Sequence, residues 1–187
     1  MNAELKKIIS KDLSRIYSGK LSLKDKFFLP MEVKHLIQYR KASFYYQKNP
    51  SSISSKLTCI KLMKMTRKTF INIPASVKAG PGLYIGHLGR IIIHPDVTLG
   101  SNVNLATGIT LGQANRGLKK GAPTIGNNVW IGTNAVIVGN VTIGDDVMVA
   151  PGAYVNMDVP SHSIVLGNPG VIHHKEGATD GYINRTV

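Results

Sequence analysis

A parallel β-helix preceded by a basic α-helical region is the fold class the sequence predicts. Three observations predict it: a six-residue period in the second half, a shortage of aromatic residues, and a positive charge concentrated in the first seventy residues. From Ile125 the chain reads in sixes, IGNNVW, IGTNAV, IVGNVT, IGDDVM, VAPGAY and VNMDVP, each opening on Ile or Val with Val or Ala in fifth place. The same frame runs through IPASVK, AGPGLY and IGHLGR from Ile73, and through IHPDVT, LGSNVN and LATGIT from Ile93.

A helix repeats every 3.6 residues and an amphipathic strand every two, so neither explains a period of six. A coiled prism does. Each unit is a short strand plus a corner, three units close one coil, and the first residue of each unit points inward onto its counterpart one coil away. Gly, Asn and Asp in the second to fourth places suit the corners because they tolerate positive φ. A β-sandwich is the competing architecture, but its strands and turns recur at about 8 to 12 residues. Aromatics make up only 6% of the chain while glycine numbers 19 of 187, so the core must be built from small aliphatic side chains.

The frame slips twice. Ile85 and Ile93 are eight residues apart, placing two extra residues just after His87, and Leu111 and Ile125 are fourteen apart. The second slip spans GQANRGLKKGAP, a polar, glycine-rich loop predicted to leave the prism over 113–122. The organisation expected is an α-helical region over 1–70, the β-helix over 71–170 and a C-terminal extension over 171–187.

Residues 1–70 hold 16 of the 23 Lys and Arg but only 4 of the 10 Asp and Glu, so almost all of the net +13 lies there. They read as three helices, NAELKKIISKDLSRIYSGK, KDKFFLPMEVKHLIQYRKASFYYQK and SSISSKLTCIKLMKMTRKTF. The last sets Lys56, Lys61, Lys64, Arg67 and Lys68 beside Leu57, Ile60, Leu62, Met63 and Met65. Such a stretch either caps the prism or lies on an anionic membrane surface. Nucleic acid is not an expected partner, because no recognised module accompanies the charge. One cysteine, Cys59, excludes an internal disulfide, and the start of the chain lacks the apolar core of a signal peptide. A cytoplasmic location is expected, with the inner face of the membrane as a second possibility.

Over residues 73–170 the chain resembles the hexapeptide-repeat acyltransferases, a resemblance that implies a left-handed β-helix, a homotrimer, and acetyl-CoA as co-substrate in grooves between neighbouring prisms. INIPASVKAGPGLYIGHLGRIII, VNLATGITLGQ and DVPSHSIVLGNPG look most like serine O-acetyltransferase, whereas NNVWIG and GNPG look more like sugar and polysaccharide O-acetyltransferases. His87 falls on the catalytic histidine of the serine enzymes. Four departures accompany that match. The serine enzymes carry Asp where this chain has Asn72 and Gly86, a second histidine where it has Ala122, and a basic residue where it has Val171.

Acetyl transfer from a thioester to a hydroxyl needs a base, oxyanion stabilisation and two substrates held together. His87 is the candidate base, at a corner beside a register slip; His94 is the rival, more readily explained by its Pro corner. Asn72 is the candidate that orients His87, since an amide can set a ring tautomer but cannot offset imidazolium as a carboxylate does. The resemblance implies acetyl-CoA contacts at Gly112, Gln113, Thr133, Ala150 and Pro151, with Lys175, beside His173 and His174, standing in for the missing basic residue. Arg90 and Arg116 are the candidate acceptor-binding cations. No metal is expected, because the histidines lack clustered Cys or Asp partners. With both family carboxylates missing near His87, the expected acceptor is a sugar or polysaccharide repeat unit. Serine is the alternative acceptor, and a non-enzymatic β-helix scaffold the alternative of a different class.

Overall fold

The computed structural model describes residues 2–17 and 28–187. Among the described residues three helices, α1 (Ala3–Ile16), α2 (Met31–Lys48) and α3 (Ile53–Thr69), precede a three-sided parallel β-helix. The parts of the first two expected helices that fall on 18–27 lie outside the described residues. The second helix starts only at Met31, because Pro30 occupies the position before it with an extended backbone.

Sheet A stacks strands Ile71–Asn72, Ile91–Ile93, Thr110–Gly112, Val136–Val138 and Tyr154–Val155. Sheet B stacks Lys78–Ala79, Thr98–Leu99, Thr124–Ile125 and Thr142–Ile143. Sheet C stacks Tyr84–Ile85, Asn104–Leu105, Val129–Ile131, Val147–Val149 and Ser163–Leu166, all parallel, with Val171–His174 added antiparallel at the end.

The six-residue frame appears directly in the backbone. The fourth place of a unit is left-handed at Gly82, Asn102, Gly108, Asn128, Asn134, Asp146 and Gly152, with φ between +52° and +80°. Side chains with a β-carbon pay for that conformation unless they are Asn, Asp or Gly, so these types recur there. With the corner set, first-place residues face inward. Ile93, Leu111, Ile137 and Val155 stack in sheet A, and Leu105, Ile131 and Val149 in sheet C, none more than 1% exposed. Each contributes roughly 1.5–3 kcal/mol by burial.

One assignment of register differs from the sequence reading. Val159 was expected in fifth place, yet it bridges to Ile143, a first-place residue, and Val149 pairs with Val165 only sixteen residues on. The last coil is therefore two residues short. Valine fits both the first and fifth places, so composition carried no sign of this third slip.

The helices cover the first coil. Tyr39, fully buried, donates from its hydroxyl to Val77 O at 2.8 Å, and burial pushes its pKa up to about 12. Arg40 donates to Ala79 O and Gly80 O, each at 2.6 Å, and pairs with Asp12 of α1 at 2.6 Å. Asp12 in turn accepts from the Gly82 and Leu83 amides at 2.9 and 3.1 Å. Burial raises the Asp12 pKa despite the facing guanidinium. This buried pair joins two helices and the prism at one point.

The C-terminal segment returns across sheet C as a strap. Asp146 accepts from the Ala178 and Thr179 amides and the Thr179 hydroxyl, Tyr182 lies against Trp130 with ring centroids 4.9 Å apart, and Asn184 O accepts from Arg15 of α1.

Two measurements probe this packing. Asp12→Ala leaves Arg40 buried without its counter-ion and is expected to cost about 3–5 kcal/mol in urea unfolding. Arg40→Met added to it should restore much of that loss, and an additive double variant contradicts the coupling. The second concerns His35, fully buried, with Nδ1 2.9 Å from Thr69 Oγ1 and burial lowering its pKa to about 4. The folded ring resists the proton that the unfolded chain accepts. Stability should therefore be full above about pH 6.5 and fall towards pH 4, by up to about 3 kcal/mol. His35→Gln should flatten that slope.

Candidate functional site

His87 stands at the corner between sheets C and A, where the extra residues of the first slip bulge outward. Gly89 makes the bulge possible. Its φ is +139°, and a β-carbon there would collide with Thr107 Oγ1. Arg90 O then accepts from Gly108 N–H at 2.6 Å, and Ile91 N–H donates to Phe70 O at 3.1 Å, so the chain rejoins sheet A in register. His87 is exposed, and among the described residues its ring has no hydrogen-bond or ion-pair partner. Leu88, its neighbour in the chain, is 47% exposed, and Phe70, whose carbonyl holds Ile91 at the foot of the bulge, is 69% exposed. Arg90 is exposed on the same bulge.

Register places further candidates along this edge. Ile85, Leu105, Ile131 and Val149 stack on one another. Two residues beyond each lie His87, Thr107, Thr133 and Pro151, one above the other. One residue beyond each lie Gly86, Ala106, Gly132 and Ala150, a column of small residues beside the first. Thr133, Ala150 and Pro151 thus share an edge with His87. Thr107 belongs with them and was missed, although its place in LATGIT is that of His87 in IGHLGR.

Other candidates lie elsewhere. Gly112 and Gln113 close the strand at the opposite edge of sheet A, a strand width of about 10 Å away at 3.3 Å per residue. Arg116 is exposed on the protruding loop, which Ala114 and Gly121 clip shut through paired backbone bonds of 2.9 and 3.0 Å. Lys119 on the same loop pairs with Asp158 at 2.5 Å. Lys175 does not join the His87 edge. Its N–H donates to His162 O at 2.7 Å, at the corner between sheets B and C. His162 there lies 3.0 Å from Asp146 and 3.1 Å from Glu176, and the Asp146 bond raises its pKa.

Asn72 is exposed on the first strand of sheet A, beside Ile92, and no hydrogen bond joins it to His87 among the described residues. It opens instead onto a groove of about 440 Å³ between α3 and the first coil, with Cys59, Met63 and Pro95 on its walls. His94, the rival base, is turned inward to its own corner, with Nδ1 accepting from Asp96 N–H at 3.3 Å. No group of three His, Cys, Asp or Glu able to hold a metal occurs among the described residues.

Comparison with known proteins bears on this geometry. The bacterial transferase hexapeptide (six repeats) family model matches residues 122–156. A serine acetyltransferase of Synechococcus elongatus is 30% identical over 76% of this chain and 57% of its own length. That of Staphylococcus aureus is 36% identical over 60% of this chain and 53% of its own. The chain spans between about a third and a little over half the length of the curated relatives it matches. Among solved structures, serine acetyltransferase from Brucella abortus in complex with coenzyme A superposes with TM-score 0.78 at 23% identity, covering 94% of this chain and 70% of that one.

These relatives overturn the expectation of a sugar or polysaccharide acceptor. That expectation ran from carboxylates absent beside His87 to a different acceptor. Missing contacts weaken one acceptor's binding without building a site for another, and relatives matched over 113 to 142 residues are serine acetyltransferases. The chain carries the repeat of the hexapeptide transferase family, and through that β-helix it is similar to serine acetyltransferases.

Proposed function

We propose that this chain is an acetyl-CoA-dependent O-acetyltransferase acting on the hydroxyl of serine, with His87 as its base. The observation that carries the reading is the exposed His87 on a bulged prism edge, in a chain 30–36% identical to serine acetyltransferases. His87 takes the hydroxyl proton as the oxygen attacks the thioester carbonyl. The tetrahedral intermediate then expels the CoA thiolate, which takes the proton from the imidazolium. The products are O-acetylserine and CoA.

The corner column above His87, half-buried Thr107 and exposed Thr133 and Pro151, fits the co-substrate, because it leaves an open edge along which a thin, extended pantetheine arm can lead to His87. Thr133, Ala150 and Pro151 are the contacts proposed along it, with Gly112 and Gln113 contributing from the other edge of sheet A. Arg90 is proposed to meet the serine carboxylate and Arg116 a CoA phosphate. A homotrimer would bring such edges together. The outward column of sheet A runs Ile92, at 40% exposure, Thr110, Val136 and Tyr154, and is apolar enough to take part in one.

A thiol-release assay with acetyl-CoA and serine tests the reading. His87→Ala is expected to lower kcat by roughly 10²-fold or more while acetyl-CoA binding is kept. Near-normal turnover in that variant, or no thiol release from the unaltered protein with serine, removes the proposal. Asn72→Asp tests the orienting role. Because no bond joins Asn72 to His87 among the described residues, kcat should stay close to the parent's, whereas a rise of about tenfold would show that a carboxylate there reaches the imidazolium. A variant indistinguishable from the parent would free Asn72 of that role.

A further inference from the structure

Helix α3 has two unlike faces. Ser55, Leu62 and Thr69 are buried against the rest of the chain. On the opposite side Ile53, Leu57 and Ile60 follow at i, i+4 and i+7 with 78%, 54% and 47% exposure. In the same outer half lie Lys56, Lys61, Lys64, Arg67 and Lys68, all exposed, and the helix contains no Asp or Glu. None of the five cations has an ion-pair partner among the described residues.

We infer that this outer face of α3 docks on the surface of an anionic lipid bilayer. Cations flank three aliphatic side chains, so phosphate headgroups can be met while the aliphatics reach the acyl boundary. The helix has 17 residues, and no helix among the described residues is long and apolar enough to cross a membrane, so the contact is peripheral. Charge argues against a second copy of the same face. A twofold interface sets each patch against itself, and here five cations would meet five. A nucleic-acid backbone would satisfy the cations but leave Ile53, Leu57 and Ile60 without a partner. This docking is independent of the acetyl-transfer reading. It would also set the surface orientation of the site, because α3 runs through Phe70 directly into the strand bearing Asn72.

Co-sedimentation of the full chain with phosphatidylcholine vesicles containing about one part in three phosphatidylserine tests the inference, since the anionic leaflet supplies the attraction. Binding is expected at low salt, to fall steeply as salt screens the headgroups, and to be absent with phosphatidylcholine alone. The triple variant K56E/K64E/R67E should bind roughly 10²-fold more weakly or worse. Its thermal midpoint should match the parent, since all three positions are exposed. Leu57→Ser with Ile60→Ser should weaken binding less but remove the fraction that survives high salt. No sedimentation with anionic vesicles at low salt overturns the inference, as does unchanged binding by the folded triple variant. Self-association lost on Leu57→Ser would assign the face to a second copy instead, and binding of an oligonucleotide but not of vesicles would assign it to nucleic acid.

Discussion

The left-handed residue that closes the corners on either side of sheet C, at Asn102, Asn128, Asp146, Gly108, Asn134 and Gly152 among others, is the constraint from which the rest of the molecule follows. Two of the three corners of a coil, from sheet B to sheet C and from sheet C to sheet A, turn the chain sharply through such a residue at positive φ. Asn102, Asn128, Asn134 and Asp146 accept that geometry alongside the glycines, and Asn102 donates to Asn128 Oδ1 at 3.0 Å one coil above. With corners fixed, the aliphatic columns have no freedom to misalign. A shift by one residue would turn every first-place Ile or Val outward. The core is therefore narrow and uniform, and chemistry has to be placed where the repeat is relaxed.

It is relaxed at one corner in particular. The bulge after His87 interrupts the ordinary turn, and Gly89 rather than Asn or Asp takes the unusual φ because Thr107 of the next coil lies against it. The imidazole is thereby lifted off a prism whose own surface offers mostly backbone. The threonines above it and the clipped loop across sheet A belong to different coils, yet register alone aligns them. An edge of this kind can be extended by adding coils without disturbing the base. The surroundings that distinguish one hydroxyl from another must come from side chains outside the repeat.

That division also explains what could be read in the sequence. The coil fold was legible because its period is written in the aliphatic first place and the Val or Ala of the fifth, with Gly, Asn or Asp at the corners between. His87 was legible because it neighbours a break in that period. The short final coil was not, since Val159 satisfies either place. The C-terminal strap was not legible either. It is held by backbone groups, Asn184 O and Tyr182 O, and by the single carboxylate of Asp146, none of which leaves a pattern. The Asp12–Arg40 pair was hidden for another reason: in a region with 16 basic residues, one buried cation looks like any other. The acceptor was misread because absent groups were taken as information about a ligand.

The strap has a mechanical meaning. A stack of coils in which each touches only its neighbours comes apart from its ends, one rung at a time, as a one-dimensional array does. Here Arg15 of α1 holds Gly82 O of the first coil and Asn184 O of the returning tail, while Asp146 anchors that tail near the last coil. The two ends of the chain are thus laced to each other along sheet C. Fraying at either end must undo the other, so a linear repeat acquires the all-or-none cooperativity of a closed ring.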